Sequence, residues 1–259
     1  MNGLAFSHRT DIRPPESLVR THCHDTYEIL FVCSGEGRYV VEGSSYPINP
    51  GTLMVIRPFQ YHYVQLSSES SYERFVINFS ESHLVDDALR LIGGLMQSAD
   101  ASGRFYAAGT LADGVTSTFE RFETALSLPL PERNAYARML LSELVVLLSV
   151  SGGQQMANDE GELGARVIKY LNENIDRNIS LDKLAKRFFV SKYYLCRAFK
   201  KHNGISVHGY INQKRVAYAK QLIDSGETAS GAAYRVGFGD YSAFYRAYVK
   251  IVGKAPTAD

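Results

Sequence analysis

The sequence predicts a multidomain protein, with an N-terminal all-β barrel or sandwich, helices after it, and an all-α domain of two helix-turn-helix units. Three observations carry that prediction. Short apolar runs separated by tight-turn signals fill residues 4–80, a helix-turn-helix pattern at 181–201 recurs near 229–250, and charge is divided sharply between the halves. The total of +1 conceals 17 Lys+Arg against 7 Asp+Glu in residues 163–259, and 11 against 20 in residues 1–162. All ten lysines lie at or after Lys169. A basic domain joined to an acidic one suits a chain of which only one half meets a polyanion.

In chain order, the runs 27–33, 38–41, 52–56 and 72–79 read as strands. Turn signals stand between them at 34–37, 42–45 and 49–51. From His83 the apolar period becomes helical, with helices expected at 83–99, 112–127 and 131–150. The last carries a broad stripe, Met139-Leu140-Leu141, Leu144-Val145 and Leu147-Leu148, which faces either its own barrel or a second copy in a homodimer. The polar, Gly-rich stretch 151–161 reads as a linker, so the domains are 1–150, a linker at 151–162, and 163–259. Helices are expected at 163–175, 181–188, 191–201, 206–224, 228–236 and 240–251. At ~1.5 Å per residue the 206–224 helix is a rod of roughly 28 Å, close to the ~34 Å between successive major-groove faces of DNA. One chain can thereby set two reading helices on one side of a duplex. Cys23, Cys33 and Cys196 form no CxxC, and no window approaches a membrane span or a leader's apolar region. A reducing, cytoplasmic location without membrane contact is expected.

The basic domain has its own grammar. Ser191 stands where an N-cap belongs, Leu195 and Phe199 form a buried i, i+4 pair, and Leu184-Ala185 places one small residue at a helix crossing. After the turn Val236-Gly237-Phe238-Gly239, Asp240 can cap and Phe244 with Tyr248 repeats the pair. This run, from Leu184-Ala185 through Ser191, Tyr194-Leu195, Arg197, Phe199-Lys200, Gly204, Tyr210, Arg215 and Ala219 to Val236-Gly237-Phe238, Asp240, Phe244, Arg246, Gly253 and Pro256, resembles the DNA-binding domain of AraC/XylS-type transcriptional regulators. It departs from that pattern at Ala229, Ala232, Val249 and Ala255. The resemblance implies double-stranded operator DNA as a partner and RNA polymerase as a second, and makes Arg215 a structural residue.

Residues left off the buried pair are the candidate DNA contacts. On the first recognition helix these include Lys192, Tyr193, Cys196 and Arg197, with Lys200 and Lys201 beyond. On the second the same subtraction leaves Tyr241, Ser242, Tyr245 and Arg246, of which the resemblance favours Tyr241, Ser242 and Arg246, and Lys250 joins the phosphate contacts. Arg197 can bond guanine O6 and N7 together, Tyr193 and Cys196 can meet thymine methyls, and the lysines hold phosphates.

In the acidic half, His22-Cys23-His24-Asp25-Thr26-Tyr27-Glu28, with Gly35 seven residues on, then Gly51, Pro58 and His62, resembles the two motifs of the cupin barrel. That family can hold a divalent metal with three His and one Glu, which assigns His22, His24, Glu28 and His62 as effector ligands and as possible metal ligands. Residues 22, 24 and 28 share parity, so one extended strand would aim all three at one face. Pocket-lining or structural histidines are the alternative, and no cofactor is required.

The expected function is a sequence-specific transcription regulator, with activation among its expected roles, controlled by a small polar effector, a sugar or related metabolite. A metal-dependent cupin enzyme carrying a DNA-binding module and an architectural DNA-binding protein are the alternatives; fold alone does not choose among them.

Overall fold

The computed structural model describes residues 4–12, 21–67, 71–96, 103–155, 163–177 and 179–256. The chain forms two compact units, Met1–Ala157 and Asn158–Asp259.

The first unit contains β1 (Ala5–Asp11), β2 (Tyr27–Ser34), β3 (Gly37–Val41), β4 (Ser44–Ile48), β5 (Leu53–Ile56), β6 (His62–Leu66), β7 (Tyr72–Phe79), β8 (Arg104–Tyr106) and β9 (Gln154–Gln155). They make an antiparallel six-stranded sheet in the order β1-β7-β2-β5-β8-β9 and a three-stranded sheet in the order β4-β3-β6. Helices α1 (Asp86–Met96), α2 (Val115–Leu126) and α3 (Leu130–Val150) follow.

Strand β2 is the spine of this unit because both of its faces are covered. Ile29 and Phe31 pack with Phe75, Ile77, Phe119 and Leu144 in the core shared with the helices. Leu30 and Val32 pack instead with Tyr39, Val41, Val64 and Tyr72 between the sheets. A strand buried on both sides reads as a continuous apolar run rather than an alternating one, and Glu28 continues the inward parity of Leu30 and Val32.

Several boundaries differ from those expected. The helix expected from residue 83 starts at Asp86, after a 3₁₀ turn at Glu81–His83, and residues 97–99 lie outside the described residues. The α3 stripe faces its own unit: Leu140, Leu141, Leu144, Val145 and Leu148 are buried in the common core, while Met139 is exposed. Residues 151–155 are not linker. Gln154–Gln155 pairs with β8, and Gly152 N–H donates to the Thr110 carbonyl, because backbone polarity there is satisfied by a sheet edge that composition does not reveal. Residues 156–162 lie outside the described residues.

The second unit is all-α: α4 (Leu163–Glu173), α5 (Leu181–Arg187), α6 (Lys192–Asn203), α7 (Val207–Asp224), α8 (Ala229–Arg235) and α9 (Tyr241–Val252). Helices α5 to α9 start on side-chain caps. Ser180, Ser191, Ser206 and Thr228 each accept a backbone N–H three residues on, and Asp240 accepts from Ser242 and Ala243. Ala232 is fully buried among Ile223, Val236, Phe238 and Phe244, so its small side chain is matched by close approach of its neighbours.

Candidate effector pocket and nucleic-acid interface

The two helix-turn-helix units repeat the same landmarks at the same spacing. Counting from the N-caps Ser191 and Asp240, the buried pair falls at the same offsets, Leu195 with Phe244 and Phe199 with Tyr248, and each helix closes on a left-handed glycine, Gly204 and Gly253. Arg197 and Arg246 therefore hold equivalent positions, and both are exposed. Lys192, Tyr193, Lys200, Lys201, Tyr241, Ser242 and Lys250 are exposed as well. Cys196 is half-buried, whereas Tyr245, its equivalent in α9, is exposed. Lys192 Nζ also pairs with Asp182 at 3.1 Å, an exposed pair worth about 0–1 kcal/mol that a phosphate can replace.

Arg215 holds this unit together. From α7 its Nε donates to the Ile175 carbonyl at 2.9 Å and its Nη2 to the Arg177 carbonyl at 2.6 Å, while the guanidinium lies 5.8 Å from the centre of the Phe238 ring. It ties the connecting helix to the loop before α5 and to the second turn.

In the first unit, His24, Glu28 and His62 converge, with one donor atom from each within 4.8 Å of the others. His24 Nε2 lies 2.9 Å and His62 Nε2 3.8 Å from Glu28 Oε2. His22 stands outside that donor set; its ring packs 4.3 Å from that of His62. The convergence also has a different origin from a single strand. Only Glu28 lies in β2; His22 reaches the site through paired backbone bonds with His62, and the chain bends at Asp25-Thr26 before β2 begins. Nonlocal pairing with His62 thus does what parity was expected to do.

Hydrogen bonds assign the protons. His62 Nδ1–H donates to the Gln60 carbonyl at 2.7 Å, so its Nε2 carries a lone pair, and this buried atom has no hydrogen-bond partner among the described residues. Burial, together with the charges of His22 and His24, overrides Glu28 and lowers the His62 pKa to about 4. For His24 burial is outweighed by the bond to Glu28, its charge and the Thr26 carbonyl, which raise the pKa. Glu28 is pushed up by burial but held down to about 2 by His62, His24 and the Asn78 amide. Tyr39 Oη donates to its other oxygen at 3.1 Å.

His22, His24, Glu28, Tyr39 and Asn78 border a cavity of about 270 Å³, and the fully buried His62 is not part of its lining. Along β7, Tyr72, Arg74, Val76 and Asn78 line it while Phe75, Ile77 and Phe79 face the helices; Ser7 and Arg9 of β1 line it too. The sequence reading missed all of these polar residues. Their signal was present as Arg74 and Asn78 at alternate positions of an otherwise apolar strand, where a side chain turned from the core must face either solvent or a cavity.

The family model for the AraC-like ligand binding domain matches residues 8–148, and that for a helix-turn-helix domain matches residues 184–258. The chain belongs to the AraC family. As a member it is a DNA-binding transcriptional regulator with an N-terminal ligand-binding domain, not an enzyme. Among its relatives, the HTH-type transcriptional activator RhaS of Klebsiella pneumoniae (strain 342) is 25% identical over 240 residues, covering 90% of this chain and 84% of RhaS. The uncharacterized HTH-type transcriptional regulator YbfI of Bacillus subtilis (strain 168) is 26% identical over 229 residues, covering 85% of this chain and 79% of YbfI. ToxT from Vibrio cholerae is similar along 99% of this AraC-family chain and 97% of its own, at 14% identity and a TM-score of 0.39, too loose a likeness to place side chains by. No helix among the described residues is long and apolar enough to cross a membrane.

Proposed function

We propose that this regulator binds a small polar effector, a sugar or related metabolite, in the cavity bordered by His22, His24 and Glu28, with His62 buried beside Glu28, and that occupancy changes its action at operator DNA. The observation that carries the proposal is a cavity lined by the hydrogen-bonded group of His24, Glu28 and Asn78 together with Tyr72, whose buried hydroxyl has no hydrogen-bond partner among the described residues, since buried polar groups are ordinarily paired. Residues 163–259 would supply the DNA contacts through Lys192, Tyr193, Arg197, Lys200, Lys201, Tyr241, Ser242, Arg246 and Lys250. The similarity to activators supports activation, with RNA polymerase and a second copy of the chain as partners in the cytoplasm. The test is regulation: His24→Ala and the His24→Ala/His62→Ala double variant should bind operator DNA like the parent yet lose the effector response. A folded variant that responds like the parent would make these histidines structural.

A divalent cation at the same place is the second reading, and the donor set fits it. His62 Nε2, His24 Nε2 and Glu28 Oε2 are two imidazoles and an ionised carboxylate, the donors of zinc, iron, nickel or manganese sites. Because His24 Nε2 must lose its proton, such an ion would bind less well as pH falls. Elemental analysis after zinc or manganese loading should find about one equivalent, lost in the double variant.

A further inference from the structure

The cavity has two chemically different ends. At one, His24, Glu28 and Asn78 form a hydrogen-bonded group beside the unpaired His62 Nε2. The other holds Arg9 and Arg74, which face each other across the β1–β7 register, with Tyr72 next along β7. Arg74 and Asn78 are four positions apart along β7, roughly 13 Å between Cα atoms. Leu30, Val64 and Val76 line the stretch between.

The charges at the arginine end do not cancel. Arg74, buried, is neutralised by Asp11 at 2.7 Å and lies over the Tyr72 ring at 4.7 Å. Arg9, exposed to the cavity, has no carboxylate partner among the described residues. One guanidinium offering paired N–H donors matches a carboxylate in shape and charge. A phosphate monoester, with about −1.5 to −2 charge, would leave excess negative charge against that single cation.

Resting on the pocket reading above, we infer that the effector is a hydroxylated carboxylate, its acid group on Arg9 and its hydroxyls on His24, Glu28 and Asn78. The volume equals roughly nine waters' share of liquid, which suits about four to seven carbons. Glu28 accepts, and His24 and Asn78 donate, so hydroxyls that do both can satisfy this end.

The test is calorimetric titration of the full chain with L-threonate, D-xylonate, D-gluconate and D-galactonate, each beside its neutral alditol and a matched sugar phosphate. At least one acid should bind at least tenfold tighter than its alditol and its phosphate. Arg9→Gln should abolish that preference, and His24→Ala should weaken acid and alditol alike. If an alditol or a phosphate binds as well as its acid, is indifferent to Arg9→Gln and is lost in His24→Ala, the acid class is wrong while the pocket stands. Binding indifferent to His24→Ala overturns the pocket reading itself. Absence of binding by every acid at millimolar concentration overturns the inference.

Discussion

The two helix-turn-helix turns are built alike but filled unlike, and this makes stability predictions of opposite sign. In the first, the N–H groups of Phe188, Phe189 and Val190 donate to the carbonyls of Leu184, Lys186 and Ala185; in the second, those of Val236, Gly237 and Phe238 donate to Ala232, Tyr234 and Ala233. The offsets are identical, a helix-closing motif that needs a left-handed residue. Gly237 supplies it at φ 89°, but Phe189 occupies the same place at φ 55° with 94% of its surface exposed. Left-handed backbone costs a residue with a Cβ about 1–2 kcal/mol, and so exposed a ring recovers little by burial. Phe189→Gly relieves that strain and returns about 0.5–1 kcal/mol through the freer unfolded chain. The expected net gain is about 0.5–1 kcal/mol, or roughly 2–8 °C in the melting of a unit of about 100 residues. Gly237→Ala should do the reverse. Its Cβ would lie 2.5 Å from the Asp176 carbonyl oxygen and 3.0 Å from Arg215 Nη2, so it strains the turn and dislodges a charged hydrogen bond, at a cost of about 3 kcal/mol or more. Thermal unfolding followed by far-UV circular dichroism, with hydrogen exchange at the Leu195 and Phe199 amides, localises both effects. A destabilised Phe189→Gly protein, or two variants shifted in the same direction, would refute this account.

The remaining predictions concern DNA and pH. Operator affinity should fall with salt at a log-log slope of roughly −0.9 per neutralised phosphate, as expected of 17 cationic against 7 acidic side chains in residues 163–259; affinity indifferent to salt contradicts it. Arg197→Ala and Arg246→Ala should each cost about 1–3 kcal/mol on the operator and relax its sequence preference, whereas Lys201→Ala should weaken operator and random DNA alike in competition binding. With the His62 pKa near 4 against an ordinary 6.5, the folded chain binds fewer protons than the unfolded one between those values. Stability should therefore drop by about 3 kcal/mol as pH falls through that window. His62→Asn should flatten this part of the urea-denaturation profile, and an unchanged slope in a folded variant assigns the effect elsewhere.

The helix-turn-helix half was legible in the chain because its determinants are local. Caps at Ser191 and Asp240, buried pairs four residues apart and closing glycines all act within one helix, so spacing alone determined helix placement and the exposed faces carrying Arg197 and Arg246. The family itself was legible from the same run, and the division into an acidic and a basic half from charge. Tertiary structure decided the rest. Strands β1 and β7 pair across more than sixty residues, which places Arg9 opposite Arg74, and no local pattern announces a partner so distant. His22 reaches His62 through backbone bonds between segments forty residues apart, so shared parity with Glu28 is not what brings these residues together. Residues 151–155 look like linker in composition but close a sheet edge, because a backbone N–H or C=O pairs according to position and not to side chain. The faces of β2 and α3 likewise acquire their meaning only from what packs on them: an apolar stripe records that it will be buried, and the fold alone supplies the surface that buries it.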